Sequence, residues 1–395
     1  MNMKLKPMVL LVLAALLVAG CATRAPAKPS KKIGKTTVAP PARTARSAAS
    51  LTPRKTVRSQ SPAAKSSLNR DAKGVHSAVT GDYAGYPALR QFIEHMVSRH
   101  GFSREYLTRV FSQAKRKQWT LDYLSKESGT AGPPRPGAWT RYRSKFLTEK
   151  HISGGVSFWR RYASVLERAS TLYGVPPEYI VGIMGVETFY GANVGNHRVI
   201  DALTTLAFDY PRRSDYFKSE LEKFLLMTRD EGIDPSYPVG SYAGAMGLGQ
   251  FMPSSFLQWA VDFDGDGRRD LWNPVDAIGS VANYFAAHGW QPGEPVVTAA
   301  RGSAAARNLE SGFDTRYSLA ALTNYGIQPV ADSLSRDATV RLLRLSTDSG
   351  DEYWLGHQNF YVITRYNHST HYAMAVHQLA QAIKRRYFES VASLP

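Results

Sequence analysis

From residue 22 to residue 75 the chain is built almost wholly of Ala, Pro, Ser, Thr, Lys and Arg, with thirteen Lys or Arg against one acid, Asp71. Such a stretch cannot bury enough apolar surface to offset the entropy of ordering it. It reads as a disordered tether, so a fold must be sought beyond it. The same stretch carries +12 of the formal net charge of +17, and without it and Lys4 and Lys6 the chain keeps 34 basic residues against 31 acids. The high isoelectric point therefore describes a tail and says little about the folded part.

The N-terminus explains what the tail hangs from. MNMKLKPMVLLVLAALLVAGCAT places two lysines before an apolar run, Met8 to Ala19, which is short for a membrane span and has the layout of a signal peptide. Val18-Ala19-Gly20-Cys21 resembles a bacterial lipobox, implying cleavage before Cys21 and lipidation of that thiol; an uncleaved apolar helix with an incidental cysteine is the plainer alternative. Cys21 is the sole cysteine, which excludes an intramolecular disulfide and a zinc site of cysteines. Ala22 resembles the sorting residue of lipoproteins sent to the outer membrane. An exported, lipidated chain does not meet chromosomal DNA, so the basic arm points to an acidic envelope surface and not to nucleic acid. Residues 1–20 are read as signal peptide and 21–80 as lipidated cysteine and tether.

The remainder has globular composition. Residues 88–127 alternate apolar and charged positions at helical spacing, with Phe92, Met96, Tyr106, Val110 and Phe111 as one-face candidates, and SGTAGPPRPGA at 128–138 breaks the chain. A helical stretch from Val156 to Tyr173 ends at Gly174, and Pro176-Pro177 starts another. In this new helix Ile180, Ile183, Met184 and Glu187 share one stripe, so a carboxylate lies among apolar side chains, close to the helix end expected by Gly191. Burial and the helix dipole both oppose its charge. The residue is either held protonated for use or is a structural Glu paired with Arg212 or Arg213. Gly182 and Gly185 flatten another strip, permitting close approach of a neighbour.

Two loops follow. GSYAGAMGLGQFMPSSF, residues 240–256, is glycine-rich without the Lys-Ser/Thr ending of a phosphate loop, and Ser241 and Gln250 are its hydrogen-bonding candidates. DFDGDGRRDLWNPVD places Asp262, Asp264 and Asp266 at positions one, three and five, Gly267 at six and the backbone carbonyl of Arg268 at seven, as in a calcium loop. Position twelve is Asn273 instead of glutamate, and Asp276, after the helix start Asn273-Pro274, is placed to supply the missing ligand. Beyond residue 291, Val340-Arg341-Leu342 and Phe360-Tyr361-Val362-Ile363 read as strands with a turn at 348–350. A final helix carries His368, His371 and His377, whose spacing does not gather them for zinc; they read as polar groups for a sugar site.

Six strings in order resemble the membrane-bound lytic murein transglycosylase B family: GAWTRYRSKF, YGVPPEYIVGIMGVETFYG, DYPRRSDYF, SYAGAMGLGQFMPSSF, the acidic loop with DLWNPVDAIGSVANYFAAHGW, and TRYNHSTHYAMAV. The match spans about residues 85–390. The resemblance implies a mainly α (α+β) protein: a helical domain and lysozyme-like core with the calcium loop at 81–290, a small β-rich insertion at 291–362, and a helix at 363–395 returning to the core. It implies cleavage of the MurNAc-β-1,4-GlcNAc bond of peptidoglycan with 1,6-anhydro ends, Glu187 serving as acid and then base, and structural Ca2+ without an organic cofactor. Tyr142, Ser241, Gln250, Tyr284, Tyr366, Asn367 and Tyr372 match groove residues, and Arg212 and Arg213 match a pair that meets the stem peptide. Implied partners are glycan strands and stem peptides, the outer membrane through the lipid, and a complex with cell-wall synthases. A muramidase that hydrolyses the same bond, and a calcium-dependent wall-binding lipoprotein without activity, are the alternatives.

Overall fold

A computed structural model describes residues 78–127, 136–330 and 334–392. The signal-like segment, Cys21, the basic stretch and residues 128–135 of the expected loop lie outside them. The helical spacing of 88–127 resolves into three helices, Pro87–His100, Arg104–Ser112 and Gln118–Glu127. The first break falls where Gly101 adopts the left-handed conformation, φ 68°, and Ser103 caps the next helix by accepting from the Tyr106 amide. Phe92, Met96 and Phe111 are buried, and Tyr106 and Val110 pack half-buried on the same core. Ala138 belongs to a short helix, Ala138–Arg143, and not to the loop. The stretch expected from Val156 to Tyr173 is two helices, Glu149–Arg161 and Ala163–Tyr173, hinged at Tyr162; the second ends at Gly174, φ 70°.

Helix Pro177–Thr188 is the centre of the main core. Every residue from Glu178 to Val186 is buried, so the helix is wrapped on all sides. The last helix, Thr370–Ala392, comes back from the C-terminus to lie along it, and Glu149–Arg161 packs on both. A Cβ at Gly182 would sit 3.1 Å from the Val376 carbonyl oxygen and 3.2 Å from Ala380 Cβ, which is the close approach the two glycines allow. None of the described helices is long and apolar enough to cross a membrane.

The small sheet is five-stranded and antiparallel, in the order Tyr317–Ser318, Thr339–Thr347, Gly350–Gly356, Val297–Arg301, Gln328–Pro329. The expected first strand and turn hold, but the partner strand is Gly350–Gly356, directly after the turn at Asp348-Ser349, with Leu343 opposite Trp354. Alternation along Thr339–Thr347 sends Val340 and Leu342 to a separate small cluster with Leu319, Leu322 and Ile327, while Leu343 and Leu345 join the main core. Phe360-Tyr361-Val362-Ile363 is not a strand: it lies in helix Gln358–Tyr366. A four-residue run of aromatic and β-branched residues fits a strand or a buried helix equally well. Here Phe360, Val362, Ile363 and Thr364 are all buried, as a helix sunk between sheet and core requires.

The helix crossing sets a stability test. A Cβ at Gly185 would meet the Tyr190 hydroxyl at 2.6 Å and Leu379 Cδ2 at 2.9 Å. Gly185→Ala is expected to destabilise the protein by roughly 1–3 kcal/mol through overpacking, read from denaturant melts, despite the better helix propensity of alanine.

Candidate active site

Glu187 lies in the last turn of Pro177–Thr188, and that turn is fixed from several sides. Phe189 and Tyr190 both have positive φ, 52° and 61°, and their amides return to the Gly185 and Met184 carbonyls. Two consecutive non-glycine residues in this region cost backbone energy that the surroundings must offset. They do so through the Tyr190 hydroxyl, which donates to the His151 carbonyl at 2.6 Å, and the Thr188 hydroxyl, which donates to the Leu248 carbonyl at 2.9 Å. The carboxylate is thereby held where the helix carbonyls point, at the negative end of the dipole.

Around Glu187 stand tyrosines. The Tyr372 hydroxyl donates to Glu187 Oε1 at 2.5 Å. Tyr142 and Tyr366 lie near enough for the carboxylate to raise their pKa values further, though burial is the main cause for each. Tyr366 donates to the Gly249 carbonyl at 2.5 Å, and its ring meets Tyr284, centroids 4.8 Å apart; Tyr284 donates to the Arg365 carbonyl. Desolvation pushes the Glu187 pKa up to about 8 from an ordinary 4.5, opposed in part by the Tyr372 hydrogen bond. Glu187 nevertheless keeps some exposure, so it is enclosed by protein without being sealed from a ligand. The pairing with Arg212 or Arg213 does not occur: no ion pair involves Glu187 among the described residues. Those arginines form a short turn, Pro211–Arg213, and Arg213 lies over the Tyr216 ring, 4.3 Å from its centroid.

The glycine-rich loop is bolted to this helix end. A Cβ at Gly247, φ 67°, would come 2.3 Å from the Leu271 carbonyl oxygen, and one at Gly249 would come 2.8 Å from the Tyr366 hydroxyl. Gln250, φ 50°, donates from Nε2 to the Val194 and Gly247 carbonyls, which leaves Oε1 without a partner among the described residues. Ser241 accepts from the Ala243 and Ala245 amides, so its oxygen shapes the loop while its hydroxyl proton has no protein acceptor among the described residues. Asn367 follows Tyr366, and its Oδ1 is buried with no hydrogen-bond partner among the described residues. A buried acceptor left without a partner suits a donor brought by a ligand. Thr188, Phe189, Tyr190 and Trp139 escaped the sequence reading. The His371 ring packs tilted against both Trp139 and Tyr142, centroids 5.6 Å apart, whereas His377 is sequestered against the Tyr179 hydroxyl at 3.0 Å.

The acidic loop draws three of its carboxylates together. Carboxylate oxygens of Asp262, Asp264 and Asp276 lie within 4.8 Å of one another. Asp262 accepts from the Gly265 and Gly267 amides, and Gly267, φ 91°, occupies a conformation that favours glycine. Asp276 is buried and accepts from the Phe263, Asp264 and Asp270 amides. Asp266 stays outside that trio, its Oδ1 taken by the Arg268 amide. Asn273 caps helix Pro274–Ala287 by accepting from the Val275 amide, so position twelve has exchanged ligation for helix initiation. Three converging carboxylates with oxygen-only chemistry fit a hard cation such as Ca2+.

The family model described as "Transglycosylase SLT domain" matches residues 85–381. The chain is 53% identical to membrane-bound lytic murein transglycosylase B of Escherichia coli, over 77% of its own length and 84% of that protein. The solved E. coli lytic transglycosylase Slt35 in complex with calcium is 51% identical, with a TM-score of 0.75, covering 80% of this chain and 100% of that one. SltB3 of Pseudomonas aeruginosa in complex with NAG-anhNAM-pentapeptide is 30% identical, with a TM-score of 0.66, covering 75% and 79%.

A raised carboxyl pKa has a signed consequence for stability. The folded state keeps a proton that the unfolded chain releases, so the resulting stabilisation is complete below about pH 4.5 and is lost as pH rises through about 8. Glu187→Gln, neutral at every pH, is expected to gain melting temperature relative to the parent between about pH 5 and about pH 8.5. A difference that stays flat across that window would mean the carboxyl is ionised throughout.

Proposed function

The chain belongs to the transglycosylase SLT domain family, and we infer that it is a lytic murein transglycosylase in which Glu187 does the proton work alone. The observation that carries this is a buried Glu187 at its helix end, its pKa pushed up by desolvation and with no other acid among the described residues acting on it. Paired-carboxylate glycosidases need a second acid about 5–10 Å away to attack or to activate water. A transglycosylase does not, because the substrate supplies its own nucleophile.

Protonated Glu187 donates to the oxygen of the MurNAc-β-1,4-GlcNAc bond, and the bond to the anomeric carbon breaks. The 2-acetamido group of the sugar stabilises the cation. The Glu187 carboxylate, now accepting the Tyr372 hydrogen bond, takes the proton of the C6 hydroxyl as that oxygen closes the 1,6-anhydro ring. The proton count returns to its start with no water consumed. Burial favours the acid in the first step, and the Tyr372 hydroxyl, kept protonated by burial and by the carboxylate itself, moderates the charge in the second. Asn367 Oδ1, Gln250 Oε1 and the Ser241 hydroxyl offer the groove its unsatisfied polar atoms. Tyr142 and Tyr284 supply aromatic walls, and Arg212 and Arg213 suit the acidic stem peptide.

Asp262, Asp264 and Asp276, with Asp266 and the Arg268 carbonyl completing the set, would hold Ca2+; when bound it supplies charge neutralisation to the loop and no step of the reaction. Lipidation at Cys21 would anchor the protein in the outer membrane of a Gram-negative cell, facing the periplasm. The basic tether would then hold the enzyme close to the wall and to synthase complexes. The relative named as membrane-bound and the lipobox support that location.

Digestion of sacculi tests the reading. Anhydro-ended muropeptides are expected by mass spectrometry, and products heavier by one water would indicate a hydrolase. Glu187→Gln should lower turnover by about 10²–10⁴-fold while sacculus binding persists. Tyr372→Phe removes the bond that lowers the Glu187 pKa, so the alkaline limb of the pH–rate profile should move upward. Chelation of Ca2+ should lower the melting temperature, and its return should restore it.

A further inference from the structure

Three side chains outside the glycan site converge between the N-terminal helices and the core. His95 and His100 come from the last two turns of Pro87–His100, and Glu222 from the middle of helix Ser214–Asp230. His100 Nε2 lies 2.7 Å from Glu222 Oε1, and His95 Nε2 lies 3.4 Å from Oε2. One ligand atom from each residue lies within 4.8 Å of the others, and the two rings meet edge to face, centroids 5.7 Å apart.

We propose that His95, His100 and Glu222 form a site for a zinc-class divalent cation, completed by water, that clasps helix Pro87–His100 to helix Ser214–Asp230. Tetrahedral zinc with bonds of about 2.0–2.2 Å to nitrogen and oxygen spaces neighbouring donors roughly 3.3–3.5 Å apart. His95 Nε2 already stands at that spacing from Glu222 Oε2, 3.4 Å, while His100 Nε2 sits at hydrogen-bond distance from Oε1, 2.7 Å, and must draw back for the two to share a cation. Two imidazoles and a carboxylate are borderline donors that suit Zn2+ and its later transition-row neighbours and not Ca2+, which the all-oxygen loop at Asp262 suits. Nδ1 of each ring has no protein partner among the described residues, so it can carry the imidazole proton and leave the Nε2 lone pair for the metal.

The frame is held independently of the three ligands. The His100 carbonyl accepts from Arg229 Nη1 at 2.7 Å, and Gly101 closes the helix in the left-handed conformation. Side-chain exposures of 44% for His95, 19% for His100 and 28% for Glu222 leave an entry path and room for a water ligand. The two histidines on one carboxylate would also form a plain ion-pair cluster when protonated, and the experiment separates the two roles.

The full chain, stripped with a chelator and resupplied with saturating Ca2+, is titrated with Zn2+ at about pH 7.5 by calorimetry and by thermal melting. One equivalent of zinc and a higher melting temperature are expected. His100→Ala and Glu222→Gln should weaken binding at least tenfold, and His95→Gln, at the most exposed position, provides the mild variant if either of those folds poorly. Asp262→Asn should leave the zinc response intact, and glycan cleavage should be unchanged in the His95 variant, which confirms its fold. Absence of any zinc-dependent shift in the parent overturns the proposal, as does zinc binding that survives undiminished in the well-folded His95 variant. Neither outcome bears on the glycan-cleaving reading.

Discussion

The proposed chemistry depends on one carboxyl group, Glu187, whose charged form burial disfavours at the end of a buried helix. Desolvation disfavours the Glu187 anion, and the helix dipole acts in the same direction, while the single hydrogen bond from Tyr372 acts against both. The balance leaves an acid able to give a proton near neutral pH and an anion that is not prohibitively unstable once it has done so. A second charged partner, such as the arginine turn at 212–213, would remove that balance by fixing the ionised form.

Rigidity reaches this carboxyl by a short covalent and hydrogen-bonded route. Thr188, next to Glu187, donates to the Leu248 carbonyl; the Leu248 amide donates to the Leu271 carbonyl; and the adjoining Asp270 amide donates to Asp276 in the acidic loop. The loop that suits a cation is thus only a few bonds from the acid. Neutralising its crowded carboxylates would steady the glycine-rich segment, whose residues Gly247 and Gly249 have no room for side chains. A cation held there would be coupled to Glu187 in this way without touching the glycan.

Much of this was legible in the sequence because it rests on local rules. Pro176-Pro177 and Gly174 mark helix ends by backbone geometry alone, and the apolar residues Ile180, Ile183 and Met184 announce the burial around Glu187, although the helix is buried on every side and not along one stripe. The acidic loop was legible through its one-three-five spacing, and Asn273 as a cap explains why position twelve departs from it. What escaped depends on long-range packing. Phe360-Ile363 is a helix because sheet and core enclose it, and no short window contains either. The strained pair Phe189-Tyr190 is stabilised by His151 and Leu248, 38 and 58 or more residues away in sequence, so its identity as the clamp on Glu187 could not be read locally. The tyrosine cluster shows the same limit. Tyr142, Tyr284, Tyr366 and Tyr372 come from four separate elements, and family resemblance picked them out where periodicity could not.

The most direct measurement is a site-resolved titration of the Glu187 carboxyl itself, by carbon NMR of glutamate-labelled protein with Glu187→Gln as the assignment control. That resonance is expected to remain in its protonated position at pH 7 and to titrate near 8. A carboxyl already ionised at about pH 6 in the resting protein, below the range that burial sets here, would contradict it.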